Sequence, residues 1–142
     1  MPPRILVPFD DSEPAHEALE YAFDLFPNGE FVSLTVVDTS TLPFIPNSAS
    51  EDETQDQLEA VFGDIDHRLD VPETVAAERG VSIETHTRVG TPAQEIIDFA
   101  ERDPIDHVVM GSRGRSGVKR ILLGSVAEVV VRHSPVPVTV VR

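Results

Sequence analysis

A group of glycines near the end of the chain has the composition of a phosphate-binding loop. Gly111 and Gly114 follow the apolar run 106–110. Gly124 stands directly before Ser125, where an apolar helical pattern begins. Backbone N–H groups can approach a ligand where side chains are missing, and the start of a helix adds a partial positive charge. The pattern therefore favours a site for an anion such as a polyphosphate.

The glycine loop differs from two common phosphate-binding motifs. No Gly-Lys-Ser or Gly-Lys-Thr ends it, as a Walker loop requires, and its glycines are not spaced as in a dinucleotide-binding fingerprint. Turn geometry alone could account for Gly111 and Gly114. The basic residues between Gly111 and Gly124 either contact phosphate, with Arg113 as the first candidate, or balance an acidic surface.

The sequence gives little support for active sites built on a cysteine, on a nucleophilic serine or on histidine metal ligands. The chain has no cysteine, which excludes a disulfide, a thiolate zinc site and a cysteine nucleophile. No Gly-x-Ser-x-Gly motif surrounds Ser112, and the 5 histidines show no metal-ligand spacing. We therefore predict no catalytic residue and no protein-bound metal, and we expect each histidine to be exposed.

Charge is distributed unevenly along the chain, whose formal net charge is −14. Residues 1–106 carry 24 acidic and 5 basic side chains, whereas residues 107–142 carry 6 basic ones and the single acid Glu128. The acidic majority argues against nucleic acids and anionic membranes as partners, because both bind basic surfaces. One lysine among ten arginines is typical of proteins kept soluble in high salt, so the protein is either halophilic or an ordinary acidic protein.

The N-terminal segment lacks the features of a signal peptide, since MPPRILVPFDDSE becomes acidic after one short apolar run. No apolar stretch approaches the roughly 18 residues of a membrane-spanning helix. We therefore expect a cytoplasmic protein.

The elements that must position the glycine loop alternate between strand and helix. Apolar and β-branched runs predict five strands, at residues 4–9, 31–37, 81–89, 106–110 and 136–141. Helical patterns predict a first helix capped by Ser12, a helix begun by the capping box 91–94, and a last helix over 125–133. In between, we expect a mobile loop over 38–56, a helix near 51–62, and a helical stretch over 64–79 that Pro72 kinks or divides.

Strands separated by helices need crossover connections, so they form a parallel sheet covered on both faces. We predict one domain over residues 1–142, with an α/β, doubly wound, Rossmann-like fold and five strands in the order 3-2-1-4-5. Ligands bind such sheets at the carboxyl ends of the strands where the winding reverses. Phe9 and Asp10 after the first strand should therefore lie beside Met110 and Gly111 of the fourth.

The spacing of the glycine loop also resembles a known family. The loop reads Gly-x2-Gly-x9-Gly-Ser from Gly111 to Ser125. This spacing matches the nucleotide-binding motif of the universal stress protein family. The segments ILVPFDDSEPAHEAL, VGTPAQEIIDFA and GSRGRSGVKRILLGSVAEVVVRHSPVPVTVVR are similar to that family's first strand and helix, third helix and C-terminal signature. The resemblance covers about residues 4–37 and 89–142.

The resemblance implies an adenine nucleotide as ligand, ATP or else AMP or ADP, with Mg²⁺ or Mn²⁺ accompanying the phosphates. It places the adenine beside Val37 and Met110, with Asp10 on the ribose or adenine. The full set of implied nucleotide-binding residues is Pro8, Phe9, Asp10, Ser12, Val37, Met110, Gly111, Arg113, Gly114, Gly124, Ser125 and Val126. It also implies a homodimer that pairs through the last strand, Val136 to Val141.

One residue departs from the family pattern, because Asp11 stands where the family usually has glycine. Aspartate tolerates the left-handed backbone conformation better than most residues, but it adds negative charge near the implied phosphates. This departure puts Ser12 in doubt as a phosphate contact and predicts a weaker affinity.

Structural roles remain open for several of these residues. Ser125 and Glu128 form a Ser-x-x-Glu pattern that could cap the last helix without any ligand, and Asp10 could be a helix-capping carboxylate. Two functions also remain open. The first is a nucleotide-dependent switch or binding protein. The second is a slow ATPase or nucleotidyl-transferring enzyme, although the Ser-Gly-Gly-x-Asp-Ser loop and the His-x-Gly-His pair of such enzymes are absent.

Overall fold

The computed structural model describes residues 2–38, 69–112 and 123–142, and these contain five strands and four helices. In chain order they are β1 (Arg4–Pro8), α1 (Glu13–Leu25), β2 (Glu30–Asp38), α2 (residues 69–78), β3 (Ile83–Gly90), α3 (Pro92–Arg102), β4 (His107–Gly111), α4 (Ser125–His133) and β5 (Val138–Val141). The expected mobile loop beyond Asp38 and the expected helix near 51–62 lie outside the described residues. The later helical stretch is described over 69–78, where the helix runs through Pro72.

The five strands form one parallel sheet in the order β3-β2-β1-β4-β5, which confirms the predicted order. The central strand β1 pairs with β2 on one side and with β4 on the other, so that Leu6 lies between Val32 and Val108. Strand β2 is longer and continues its pairing with β3 as far as Asp38 and Gly90. The carboxyl ends of β1 and β4 therefore lie side by side, where the winding of the sheet reverses.

Two apolar layers cover the sheet and account for the helices on both faces. On one face, alternate residues such as Leu6, Val32 and Val108 pack against buried residues of α3 and α4. On the other face, Ile5, Val7 and Val109 pack against α1 and against Ala76 of α2. The predicted first helix is confirmed, and its buried residues are Pro14, Ala15, Ala18, Leu19, Ala22 and Phe23.

The two outer strands of the described sheet differ in surroundings. Strand β3 has exposed or half-buried residues throughout. Arg4 pairs with Glu84 of this strand at 2.6 Å, and the Arg4 hydrogen bond lowers the pKa of the Glu84 carboxyl. At the other edge, all four residues of β5 are half-buried.

The helix starts agree only partly with the predicted caps. Ser12 is the N-cap of α1, and its Oγ accepts a hydrogen bond from the Ala15 amide at 3.2 Å, as predicted. Thr91 is the N-cap of α3 and Pro92 follows it, but the Thr91 side chain makes no cap hydrogen bond. The expected capping box is therefore wrong in its side-chain contact, although its position is right.

The start of α4 also differs from the capping pattern of Ser125 and Glu128. Gly124 is the N-cap, and Ser125 is already the first helical residue. The reason is a contact distant in sequence: the Gly124 amide donates to the Ser112 carbonyl at 2.6 Å. This bond fixes Gly124 as the flanking residue, and the Glu128 amide then bonds its carbonyl at 3.0 Å. Interpreting Ser125 as the capping residue is therefore wrong.

The expectation that every histidine is exposed is also wrong. His16, His86 and His107 are half-buried, whereas His133 is exposed and His67 lies outside the described residues. His107 shares a hydrogen bond of 2.7 Å with Thr139 between β4 and β5, and its ring lies 5.1 Å from that of Phe26. Burial lowers the pKa of His107. No helix in the described ranges has the length and apolar character needed to cross a membrane.

Candidate functional site

The edge of the sheet where β1 and β4 end brings several of the predicted site residues together. Strand β1 ends at Pro8, and the next residue, Phe9, donates its amide to the Leu34 carbonyl at 2.9 Å. Strand β4 ends at Gly111. Asp10 then leads the chain over the end of the sheet towards α1, so the predicted neighbours Asp10 and Gly111 leave adjacent strands at the same edge.

The missing side chain of Gly111 is explained by a contact within the protein. A Cβ placed on Gly111 would lie 2.7 Å from the Cβ of Pro14 and 2.8 Å from its carbonyl carbon. Both distances are shorter than side chains tolerate, and Pro14 belongs to the first turn of α1. The first turn of α1 therefore packs directly on the end of β4, which requires glycine there whether or not a ligand binds.

Ser112 fixes the start of α4 against the ends of β4 and β5. Its amide donates to the Val141 carbonyl at 2.9 Å, and its carbonyl accepts from the Gly124 amide at 2.6 Å. Ser112 itself is buried. Arg113 and Gly114 fall outside the described residues, but the two ends of their loop are held together by these bonds.

The N-terminus of α4 carries backbone donors without a capping side chain. The first amides of any helix have no acceptor within the helix, and a capping side chain normally accepts from one of them. Gly124, as N-cap, has no side chain that could do so. The amides that follow Gly124 can therefore donate to an anion, and the helix dipole adds to that attraction.

The loop between β1 and α1 is tied together by the predicted residues Asp10 and Ser12. Asp10 Oδ1 accepts from the Ser12 amide at 3.1 Å and from the Ser12 hydroxyl at 2.5 Å. Ser12 Oγ in turn accepts from the Ala15 amide. Asp10 therefore supports the cap of α1 through Ser12 rather than capping the helix itself. Because the Ser12 hydroxyl already donates to Asp10, it is poorly placed to donate to a phosphate.

Asp11 adopts the left-handed conformation, with φ of 61°, in which glycine is the usual residue. Its Oδ1 lies 2.8 Å from Nε2 of His16, and the His16 ring meets Phe9 edge-on at a centroid distance of 5.0 Å. Sequence reasoning missed His16 as a member of this loop. The available signal was its position five residues after Asp11, the acid at which the sequence departs from the resemblance described above.

The apolar residues predicted to surround an adenine ring do not share one face of the sheet. Phe9 is buried in the layer beneath α1, whereas Met110 is buried in the layer beneath α3 and α4. Val37 is also buried, near the end of β2. Pro8 and Val126 are half-buried. Phe9 and Met110 are therefore parts of two different walls at the end of the sheet.

Two buried hydroxyls on β2 were not predicted. Ser33 Oγ and Thr35 Oγ1 are buried without a hydrogen-bond partner in the described structure. Ser33 pairs in register with Val7, and Thr35 follows on the same face, one row closer to the site. An unpaired buried hydroxyl costs about 1–3 kcal/mol, so these atoms mark polar positions on the α1 side of the sheet. Among residues 2–38, 69–112 and 123–142, no group of three or more metal-ligating side chains is present.

Comparison with known proteins places this arrangement in a family. The model of the universal stress protein family matches residues 1–142. Universal stress protein MJ0531 of Methanocaldococcus jannaschii is 36% identical over 149 residues, which cover 98% of this chain and 81% of that protein.

Solved structures agree in fold. Protein MJ0577 of the same organism superposes with a TM-score of 0.81 at 30% identity, covering 99% of this chain and 96% of that one. A universal stress protein solved in complex with cAMP superposes with a TM-score of 0.71 at 26% identity, covering 99% and 97% of the two chains.

Proposed function

The chain belongs to the universal stress protein family, and from that premise we propose that it is an adenine-nucleotide-binding module of the stress response. In this proposal it acts as a nucleotide-dependent switch or binding protein in the cytoplasm. The observation that carries the proposal is the start of α4, where uncapped amides are fixed beside the end of β4. The cAMP complex of a structural neighbour supports an adenine nucleotide rather than another anion.

The phosphates of the nucleotide would lie at the amides of Ser125 and Val126. Gly124 contributes by having no side chain to compete for those amides. Arg113 and Gly114 would complete the phosphate site from the loop that Ser112 and Gly124 close. Mg²⁺ or Mn²⁺ would accompany the phosphates and neutralise part of their charge.

The nucleoside would lie against the ends of β1, β2 and β4. Pro8 and Phe9 would line one side of it, Met110 would flank the base, and the backbone at Val37 would frame it. Asp10 keeps Oδ1 on Ser12 and would reach the ribose or adenine with the other carboxylate oxygen. ATP is the nucleotide we propose first, because the amides of α4 and the basic loop favour a highly charged ligand.

Substitution of Ser125 tests the phosphate site without damaging the helix. Ser125 is exposed at the first position of α4. An acid there is favourable to the helix dipole by about 0.3–1 kcal/mol, but it repels phosphate at the same amides. We expect Ser125→Glu to lower ATP affinity at least about tenfold in calorimetric titration, with the free energy of unfolding unchanged or raised.

Ser125→Gln is the matched control, because glutamine has nearly the same size as glutamate without the charge. It should retain most of the affinity. Equal ATP affinity in the glutamate variant, the glutamine variant and the unsubstituted protein would contradict a phosphate site at α4.

We further propose a homodimer that pairs through β5 and its flanking residues, Val136 to Val141. Strand β5 is at the edge of the described sheet, and its valines are half-buried. Val129 and Val131 of α4 are 40% and 45% exposed and add apolar surface to the helix that packs against β5. Pairing with a second copy would cover an edge strand that otherwise invites aggregation.

The proposed setting is a cytoplasm of high salt concentration. The protein carries 25 acidic side chains against 11 basic ones, and lysine occurs once. Such a surface repels itself at low ionic strength, and salt screens that repulsion.

A further inference from the structure

An acidic residue in the loop between β1 and α1 is held by a histidine of the helix. Asp11 Oδ1 and His16 Nε2 lie 2.8 Å apart. A carboxylate only accepts hydrogen bonds, so Nε2 carries the hydrogen and His16 donates. The side chains are 27% and 38% exposed, respectively. The Asp11 carboxylate is therefore directed onto the first turns of α1.

This loop lies close to the proposed phosphate site. Pro14, three residues after Asp11, packs against the backbone of Gly111 at the end of β4. The next residue, Ser112, holds Gly124 at the start of α4 through a bond of 2.6 Å. The loop after β1 and the amides of α4 thus meet at the same edge of the sheet. A negative charge in this loop would repel phosphate groups bound there.

The His16 ring has a packing contact in addition to its contact with Asp11. The ring meets Phe9 edge-on at 5.0 Å, and the His16 amide donates to the Ser12 carbonyl at 3.0 Å. Phe9 is buried. A ring in contact with a buried aromatic side chain has fewer orientations open to it, and this limits the directions in which it can hold the carboxylate.

We propose that His16 is a positioning residue of the nucleotide site, which holds the Asp11 carboxylate against α1 and so limits its repulsion of the phosphates. The inference rests on the proposed function. It explains how an acid can stand where the family usually has glycine while the site still accepts a polyphosphate. The neighbouring acid Asp10 is engaged by Ser12, whereas the Asp11 carboxylate is the one that His16 contacts.

The proposal predicts an effect that depends on the number of phosphates. Loss of His16 should weaken binding of ATP more than binding of AMP, because ATP carries more phosphate charge. We expect His16→Ala to lower the ratio of ATP to AMP affinity about three- to tenfold at about 0.15 M salt. Asp11→Gly in the same variant should restore the ratio, since it removes the charge that His16 positions.

The experiment measures dissociation constants of ATP and AMP by calorimetry for five proteins. These are the unsubstituted protein, His16→Ala, His16→Gln, the double variant His16→Ala with Asp11→Gly, and the control Glu17→Gln. The glutamine of His16→Gln can still donate a hydrogen bond, so this variant should keep most of the ratio. Glu17 is exposed on α1, and removing its charge should leave the ratio unchanged.

The outcomes separate this inference from the proposed function. If His16→Ala weakens ATP and AMP equally, or if Asp11→Gly does not restore the ratio, His16 acts only in packing and the inference is wrong. If His16→Ala does not fold, His16→Phe takes its place, because phenylalanine keeps a ring against Phe9 but cannot donate a hydrogen bond to Asp11. This variant must lower the ratio, and Asp11→Gly in the same variant must restore it; otherwise the inference is wrong. If the unsubstituted protein binds neither nucleotide, the proposed function fails first.

Discussion

Several residues at the end of the sheet make contacts within the protein that stabilise the fold whether or not a ligand binds. Gly111 is glycine because Pro14 packs on its backbone, and Ser12 caps α1 with the help of Asp10. The family resemblance implies ligand contacts for Gly111, Ser12 and Asp10. Their structural roles do not remove them from the proposed site, but they mean that substitutions there change stability as well as binding.

Gly111→Ala tests the structural role directly. The added methyl group would stand 2.7 Å from Pro14 Cβ and 2.9 Å from its carbonyl oxygen, and backbone atoms of a helix cannot easily move away. We expect a loss of about 1–3 kcal/mol in the free energy of unfolding, measured by denaturant titration without nucleotide. Glu101→Ala, an exposed change on α3, should stay within about 0.5 kcal/mol. If Gly111→Ala were as stable as Glu101→Ala, the first turn of α1 would not pack tightly against Gly111 of β4.

The elements of the fold were predictable because their signals are local. Apolar runs, helical spacing and the Ser12 cap predict the alternation of strands and helices, and the crossover connections that this alternation requires predict a parallel sheet. The start of α4 was not predictable in the same way. It depends on the hydrogen bond between the Gly124 amide and the Ser112 carbonyl. Because the glycine loop separates these two residues in the sequence, no local sequence pattern predicts that bond.

The sequence predicted which strand ends meet but not the contacts made there. The reversal of winding placed the ends of β1 and β4 side by side, which the strand order confirms, whereas the nucleotide site itself stays a prediction. The pair of Asp11 and His16 was not predictable, because a left-handed aspartate and a half-buried ring become neighbours only once α1 is folded. Phe9 and Met110 lie on opposite faces of the sheet because side chains alternate along each strand. Predicting this requires the register between β1 and β4, which the sequence does not give.

At the scale of the whole molecule, the proposed dimer depends on β5, which is an outer strand of the described sheet. The carbonyls of Pro137 and Val141 accept hydrogen bonds from β4 and the residue that follows it. Backbone groups alternate along a strand, so the amide of Val140 points away from β4, towards the edge that would pair with a second copy. The dimer can therefore be tested at Val140 without removing a hydrogen bond between β4 and β5.

Val140→Pro should yield a monomer in light scattering coupled to size-exclusion chromatography, because proline has no amide to donate and its ring obstructs pairing. Val140→Thr keeps the amide and the branched shape and should remain dimeric. A proline variant that stays dimeric while retaining its fold would show that the copies, if they associate, do so through another surface.

The central claim is that the amides at the start of α4 receive the phosphates of an adenine nucleotide. The most direct measurement is a titration of the ¹⁵N-labelled protein with ATP, followed by the amide resonances in two-dimensional NMR. We predict that the amides of Ser125, Val126 and Ala127 shift most among the described residues, and that the shifts saturate with increasing ATP. Saturable ATP binding that leaves these three amides unmoved, or no binding at all, would contradict it.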